Sequence, residues 1–255
     1  MLSEAQAINT FFGGDRRHYD LFRQIADAYD NLFAELSKKI KRTIPSSQLE
    51  NLASLEPSWV SFQDEPHEYQ NWIDKHFGIA KFKAIGKITE GGLWYPTPLY
   101  AVYECIYGLA QDFKVPIQDY VFVDNGTGDG RVPIVATGIF GMPSIGIDVD
   151  NELLAIAEDM KHRLSASVDL DGLAFQRQDF LSFDYTAQKY IVFHFGLLEH
   201  NPSEVKLLRK MDNELPEGSY VIFFKFTPDP NQFARLKRIE QRRAHFTYVE
   251  FYQVK

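Results

Sequence analysis

The chain has a single cysteine, Cys105, among its 255 residues. An internal disulfide is therefore impossible, and without a Cys/His cluster at zinc spacing the sequence offers no structural metal site. Cys105 reads as a small buried hydrophobe on a helix. Positive charge is also short: 27 Lys and Arg face 35 Asp and Glu, a formal net charge of −8, which opposes sequence-independent attraction to a phosphate backbone. Nucleic acid is thus a disfavoured partner despite two basic runs, Lys38, Lys39, Lys41 and Arg42, then Arg235, Lys237, Arg238, Arg242 and Arg243. Both runs are expected on helices as solvated faces. Apolar runs never approach the roughly 20 residues that a spanning helix requires, and the N-terminus lacks a basic-then-apolar signal. A cytoplasmic protein with no membrane partner is expected. Internal repeats and low-complexity tracts are missing as well.

Aromatic residues are plentiful, with 21 Phe and 13 Tyr, and a chain of this length buries roughly 70–75% of its unfolded surface on folding. In the first part, Tyr19, Phe22, Ile25, Ala26, Tyr29, Phe33, Leu36 and Ile40 recur at three- and four-residue steps, which marks one apolar helix face ending before Pro45. Residues 45–92 are mixed; Trp59, Trp72 and Phe77 are candidate core anchors and Gly91-Gly92 a hinge or tight turn. We divide the chain into a helical N-terminal region, 1–92, with a lid or substrate-recognition role, and an α/β domain, 93–255.

From Trp94 onward strands and helices alternate. Thr97 as N-cap and Pro98 at the first helical position open a helix carrying Leu99, Val102, Tyr103, Ile106 and Leu109. Strands are expected at about 119–124, 144–149, 173–177, 190–195 and 220–226. A helix starts at an Asp150 cap, another follows Asn201-Pro202, and the chain closes with a basic helix at about 230–243 and a strand from Phe246 to Val254. This order predicts a doubly wound, Rossmann-like, mostly parallel sheet covered on both faces, with a helical N-terminal extension.

Residues 120–130, Tyr-Val-Phe-Val-Asp-Asn-Gly-Thr-Gly-Asp-Gly, carry the chemistry. An apolar strand ends in Asp124 and Asn125 and runs into Gly126, Thr127, Gly128 and Gly130. Glycines reach positive φ without steric cost and have no Cβ to hold a ligand off the backbone. The spacing is not that of the dinucleotide fingerprint, whose third glycine would fall at Arg131. A carboxylate at position 124 would repel a pyrophosphate and attract an ammonium or sulfonium. Asp148 closes the next strand 22 positions after Gly126, with Val149 beside it, where doubly wound folds place an acid for ribose hydroxyls.

These residues resemble motif I of the class I S-adenosylmethionine-dependent methyltransferases, acid-x-Gly-x-Gly-x-Gly, matched by Asp124, Gly126, Gly128 and Gly130. The resemblance implies S-adenosylmethionine as cofactor and S-adenosylhomocysteine as product, with no metal. It implies that Asp179 receives the adenine amino group, that Phe180 lies along the adenine ring, and that Tyr95 and Thr97 of Tyr95-Pro-Thr-Pro cover the methionine end. Over roughly residues 94–228 that segment, Gly128-Asp-Gly-Arg-Val, Gly146-Ile-Asp-Val-Asp and Asn213-Glu-Leu-Pro-Glu-Gly-Ser-Tyr-Val are similar to protein-lysine methyltransferases of the ATP-synthase c-subunit type. Leu197-Leu-Glu-His-Asn-Pro looks instead like small-molecule methyltransferases. The methyl acceptor is accordingly a protein lysine or a small molecule. Aromatic walls from Tyr95 and Phe195 would hold an amine, whereas an oxygen acceptor would call for His194 or His200 as general base. The alternative from another class is a non-catalytic cofactor-binding or interaction protein.

Overall fold

The computed structural model describes residues 3–43, 87–89, 92–94, 97–196, 202–224, 232–244 and 247–255. Trp59, Trp72, Phe77 and Gly91 lie outside them, as do Tyr95, His200 and the Leu197–Asn201 segment.

Helices α1 (Glu4–Phe11) and α2 (Arg16–Thr43) come first. Ser3 opens α1 with a reciprocal capping box, its hydroxyl accepting from the Gln6 N–H and the Gln6 side chain accepting from Ser3 N–H. Strands β1 (Lys87–Thr89) and β2 (Gly92–Trp94) pair antiparallel in a short hairpin, so part of the region expected to be helical is extended. Helix α3 (Leu99–Gln111) follows. Its N-cap is Pro98, without a side-chain cap, which corrects the expectation of a Thr97 cap by one residue. The main unit then runs β3 (Val121–Asn125), α4 (Arg131–Phe140), β4 (Ser144–Asp148), α5 (Asn151–Leu164), β5 (Leu173–Arg177), β6 (Tyr190–Phe195), α6 (Pro202–Glu214), β7 (Tyr220–Phe224), β8 (Leu236–Ala244) and β9 (Thr247–Val254). Asp150 caps α5 as expected, accepting from the N–H groups of Glu152 and Leu153.

The seven strands β3 to β9 form one sheet in the order β5-β4-β3-β6-β7-β9-β8. β5, β4, β3, β6 and β7 are mutually parallel, and β9 runs antiparallel between β7 and β8. The fold is therefore the expected α/β doubly wound, mostly parallel sheet. Side chains alternate across it with the period of two that a strand imposes. Phe122, Ile191, Phe193, Ile222 and Phe251 face a core shared with α2, α3, α4 and α5. Val123, Val192, Val221, Phe223 and Tyr252 face a second core built with Leu207, Leu208 and Met211 of α6.

One expectation changes. The basic segment near the C-terminus is strand β8 rather than a helix: Lys and Arg favour helices locally, but β8 gains a full antiparallel ladder with β9, bulged between Arg238 and Glu240. A charged outer strand also resists pairing with further chains. Helices α1 and α2 pack on the α/β unit: Phe11, Phe12, Phe22, Ile25 and Tyr29 belong to the same core as Tyr100, Tyr103 and Phe122. The cause is α4, every residue of which is buried. A helix apolar all round needs cover on its outer side, and α2 and α3 supply it. Gly138 of α4 shows how closely: a Cβ there would stand 2.5 Å from Val168 Cγ1 and 3.5 Å from Ile25 Cδ1.

Candidate ligand site at the sheet's switch point

After β3 the chain steps to β4 and β5 on one side and then returns to place β6 on the other side of β3. Crossovers leave in opposite directions at this point, and the crevice beyond the carboxyl ends of β3 and β6 is where doubly wound sheets bind ligands. β3 ends here in Asp124 and Asn125, which lie in register with Phe193 and His194 of β6.

The turn from 126 to 130 is stitched to β4. Gly126 and Thr127 both donate to the Ile147 carbonyl at 2.9 Å, and Gly130 donates to the Thr127 carbonyl at 3.0 Å. Its glycines serve different ends. At Gly130 (φ +79) a Cβ would meet the Phe175 ring at 2.6 Å and Ala157 Cβ at 2.8 Å, so packing demands glycine. At Gly126 (φ +81) a Cβ would meet nothing within 4 Å. Its left-handed backbone therefore faces open space, the bare main chain the sequence motif implied.

Three polar atoms of this strand end and turn are buried without a hydrogen bond of standard geometry to the described residues: Asp124 Oδ2, Asn125 Nδ2 and Thr127 Oγ1, the last near enough to Asp124 to help keep its carboxyl ionised. Buried polar groups left unpaired each cost about 1–3 kcal/mol, so a cluster of three at one strand end points to a partner from outside the chain. Asn125 Oδ1 accepts from the Tyr185 hydroxyl at 2.9 Å. Burial pushes the Asp124 carboxyl up to about 7, with Thr127 and His194 opposing the rise and Asp148 and Asp129 adding to it.

Asp148 sits half-buried at the end of β4. Its Oδ2 accepts from Gly128 N–H at 2.8 Å and its Oδ1 from Asp150 N–H at 2.9 Å. A carboxylate has about four acceptor positions, so the group still has capacity toward the crevice. Desolvation raises its pKa, against the backbone hydrogen bonds it accepts. Val149, beside it, gives its carbonyl to Arg177 Nε at 3.2 Å. Asp179, after β5, is exposed, and its Oδ1 accepts from Leu181 N–H at 2.9 Å as the cap of a single 3-10 turn, Phe180–Ser182. Phe180 lies edge-on to His194, centroids 5.5 Å apart. Phe195 is half-buried at the end of β6 and stacked on Phe224 at 5.1 Å.

His194 is only 5% exposed. Its Nδ1 lies 3.1 Å from the Asn125 carbonyl oxygen and its Nε2 contacts Glu204 Oε2. Both nitrogens are engaged by protein groups, which leaves none to serve an acceptor as general base in this arrangement. Thr97 is buried too, and its carbonyl accepts from Arg131 Nη1 at 3.4 Å.

Sequence reading missed Arg131. The side chain is 2% exposed and forms a bidentate pair with Asp129, Nε to Oδ1 at 2.9 Å and Nη2 to Oδ2. Its guanidinium lies 4.8 Å from the Tyr29 ring centre, and the Tyr29 hydroxyl donates to the Asp129 carbonyl at 2.9 Å. Helix α2 thus buttresses the glycine turn from behind. The signal available was a charged residue, Arg131, at the head of the otherwise apolar run 131–140.

Comparison with known proteins gives no match to a protein-family description and no sequence match among curated proteins. Among solved structures the chain is similar to an RNA methyltransferase from Salinibacter ruber in complex with S-adenosyl-L-homocysteine, at 24% identity and a TM-score of 0.49, covering 62% of this chain and 93% of that one. It is also similar to the magnesium protoporphyrin IX methyltransferase of Synechocystis PCC 6803 with bound SAM, at 16% identity, TM-score 0.45, 60% of this chain and 77% of that one. An rRNA methylase from Streptococcus thermophilus matches at 12% identity, TM-score 0.42, 57% of this chain and 94% of that one. No helix among the described residues is long and apolar enough to cross a membrane.

Proposed function

We propose that this chain is an S-adenosylmethionine-dependent methyltransferase. The observation that carries the reading is the set of three buried polar atoms without a standard hydrogen bond to the described residues, on Asp124, Asn125 and Thr127, in the same strand end and turn as the open left-handed Gly126 at the switch point. Their chemistry suits the methionine end of that cofactor: a carboxylate for the ammonium, an amide N–H and a hydroxyl for the carboxylate. Asp148, at the end of β4, would accept from the ribose hydroxyls. Asp179 and Phe180, at the end of β5, would flank the adenine. Tyr95 and Thr97 would close the methionine end.

When bound, S-adenosylmethionine brings a methyl group already activated by the sulfonium. The protein's task is then proximity, alignment and exclusion of water. As acceptor we propose a protein lysine amine, on the sequence resemblance over residues 94–228; desolvation beside Phe195 would help that amine give up its proton. A small-molecule acceptor is the second reading, favoured by the Leu197-Leu-Glu-His stretch.

Calorimetric titration with S-adenosylmethionine and S-adenosylhomocysteine tests the cofactor. Both are expected to bind the wild type, and Asp148→Ala is expected to lose binding while keeping its circular dichroism spectrum. Unchanged affinity in that variant, or folded wild type that binds neither, would overturn the reading. Incubation of a lysate with methyl-labelled donor then separates the acceptors, since labelled polypeptide supports lysine, labelled metabolite the small molecule, and no label a non-catalytic role.

A further inference from the structure

The His194–Glu204 pair lies directly behind the site, and its protons can be counted. The Asn125 carbonyl has no hydrogen to give, so His194 Nδ1, 3.1 Å away, carries one and donates it. Nε2 contacts Glu204 Oε2. A second proton must therefore lie between ring and carboxyl, since two bare lone pairs would repel. Both groups are buried, 5% and 6% exposed, and Phe180 and Phe223 pack on the ring at 5.5 and 5.1 Å.

The charges nearby decide which atom holds the second proton. Among the described residues, Asp124, Asp148 and Asp129 are the carboxylates around the end of β3, and Asp129 is paired with Arg131. Tyr29 and Tyr185, the latter donating to Asn125 Oδ1, also face this cluster and are held neutral by burial. A proton on the ring puts positive charge where it offsets Asp124 and Asp148, while the Glu204 carboxylate balances it from the α6 side. A buried charge is tolerable only when paired and hydrogen-bonded in this way.

We infer that Glu204 is a positioning residue for the cofactor site: it holds His194 as an imidazolium, which fixes the Asn125 carbonyl and lends positive charge to the strand end that carries Asp124. This rests on the functional reading above. It also gives His194 a role different from that of a general base, since the proton it holds is structural and is not passed to or taken from an acceptor.

The test has two independent parts on the full chain. The first is nitrogen-15 NMR of the His194 ring, assigned by its disappearance in His194→Asn. Wild type is expected to show both nitrogens protonated at pH 7.5, and Glu204→Gln, which keeps a hydrogen-bonding partner but no charge, is expected to show Nε2 without its proton. The second is S-adenosylhomocysteine affinity by calorimetry, expected to fall about tenfold in Glu204→Gln, whereas a purely structural loss would lower the melting temperature and leave the affinity of the folded fraction intact. A wild-type ring with one bare nitrogen overturns the inference without any variant having to fold. Wild-type affinity in a folded Glu204→Gln overturns it as well. A doubly protonated ring in a wild type that binds neither cofactor form overturns the proposed function instead, and leaves the proton assignment standing.

Discussion

Asp212 and Asp124 are both buried carboxylates, 7% and 2% exposed, and they differ in what surrounds their oxygens. Asp212, on α6, accepts from three consecutive backbone N–H groups, Ala234 at 2.9 Å, Arg235 at 2.7 Å and Leu236 at 2.6 Å. It thereby sets the start of β8 against α6. Glu250 on β9 is similarly satisfied, by Arg238 at 2.7 Å and by the Tyr252 hydroxyl. Asp124 keeps one oxygen without a partner, and two neighbours share that condition. The C-terminal part of the sheet satisfies its buried acids with its own backbone and side chains, whereas the switch point holds its acid in reserve. Satisfaction of the hydrogen bonds, more than burial, separates the residues that build this fold from those that await a ligand.

Substitution at the two acids gives the sharpest contrast, and the largest effect is expected at Asp212. Asp212→Ala strands three N–H groups, a loss of about 3–5 kcal/mol at roughly 1–1.5 kcal/mol net for each hydrogen bond. At about 2–4 °C per kcal/mol for a chain of this size, thermal melting should fall by roughly 10 °C. Cofactor affinity of the folded protein should hold. If Asp212→Ala instead lost cofactor binding at unchanged melting temperature, the division between the two regions would be wrong.

Asp124→Asn should do the reverse. The carboxyl is raised from 3.8 to about 7, so between about pH 4 and 7 the unfolded chain releases a proton that the folded chain keeps. The contribution of this carboxyl to the stability of the ligand-free protein is therefore greatest below pH 4 and falls as pH rises through that window. Asparagine removes the dependence, and denaturant melts at pH 8 should show the variant more stable by about 2–4 kcal/mol. Its affinity for S-adenosylmethionine should drop by about 10- to 100-fold, and that of the wild type should improve as pH rises through 7. A wild-type stability curve flat from pH 4 to 7 would remove the case for an unsatisfied acid.

How far these roles were readable in the sequence follows the same contrast. Asp124, Gly126 and Asp148 were legible because a strand end, a glycine turn and an acid after the next strand are local patterns. The three unpartnered atoms were not, since which of its polar atoms Asn125 satisfies depends on Tyr185, which is distant in sequence. Arg131 and Glu204 were passed over for a related reason. A single charge at the head of an apolar helix reads as a cap until Asp129, Tyr29 and Thr97 are seen around it, and Glu204 reads as the third residue of a helix start. β8 was misread because its ladder with β9 is a tertiary fact that overrides local helix preference.

The glycine turn offers a smaller test of the same division. Gly126→Ala places a Cβ in open space at φ +81, costing about 1–2 kcal/mol for the left-handed conformation. Cofactor affinity should suffer more than stability, because that space is where the ligand is proposed to lie. Gly130→Ala, which drives a Cβ into Phe175 and Ala157, should show stability suffering most. Equal losses of affinity at equal losses of stability would mean that the turn acts as one unit.

The smallest effect concerns the buttress behind the turn. Tyr29→Phe keeps the ring under the Arg131 guanidinium, 4.8 Å from its centre, and deletes only the hydroxyl that donates to the Asp129 carbonyl. A neutral hydrogen bond contributes about 1 kcal/mol, so the melting temperature should fall by about 2–4 °C. Affinity should stay within about twofold, since Arg131 still grips Asp129 and the Thr97 carbonyl. Tyr29→Leu also removes the ring, exposing the buried ion pair to a void, and should cost both stability and affinity. If Phe and Leu behaved alike, the aromatic face would contribute nothing, and the link from α2 to the glycine turn would reduce to a single hydrogen bond.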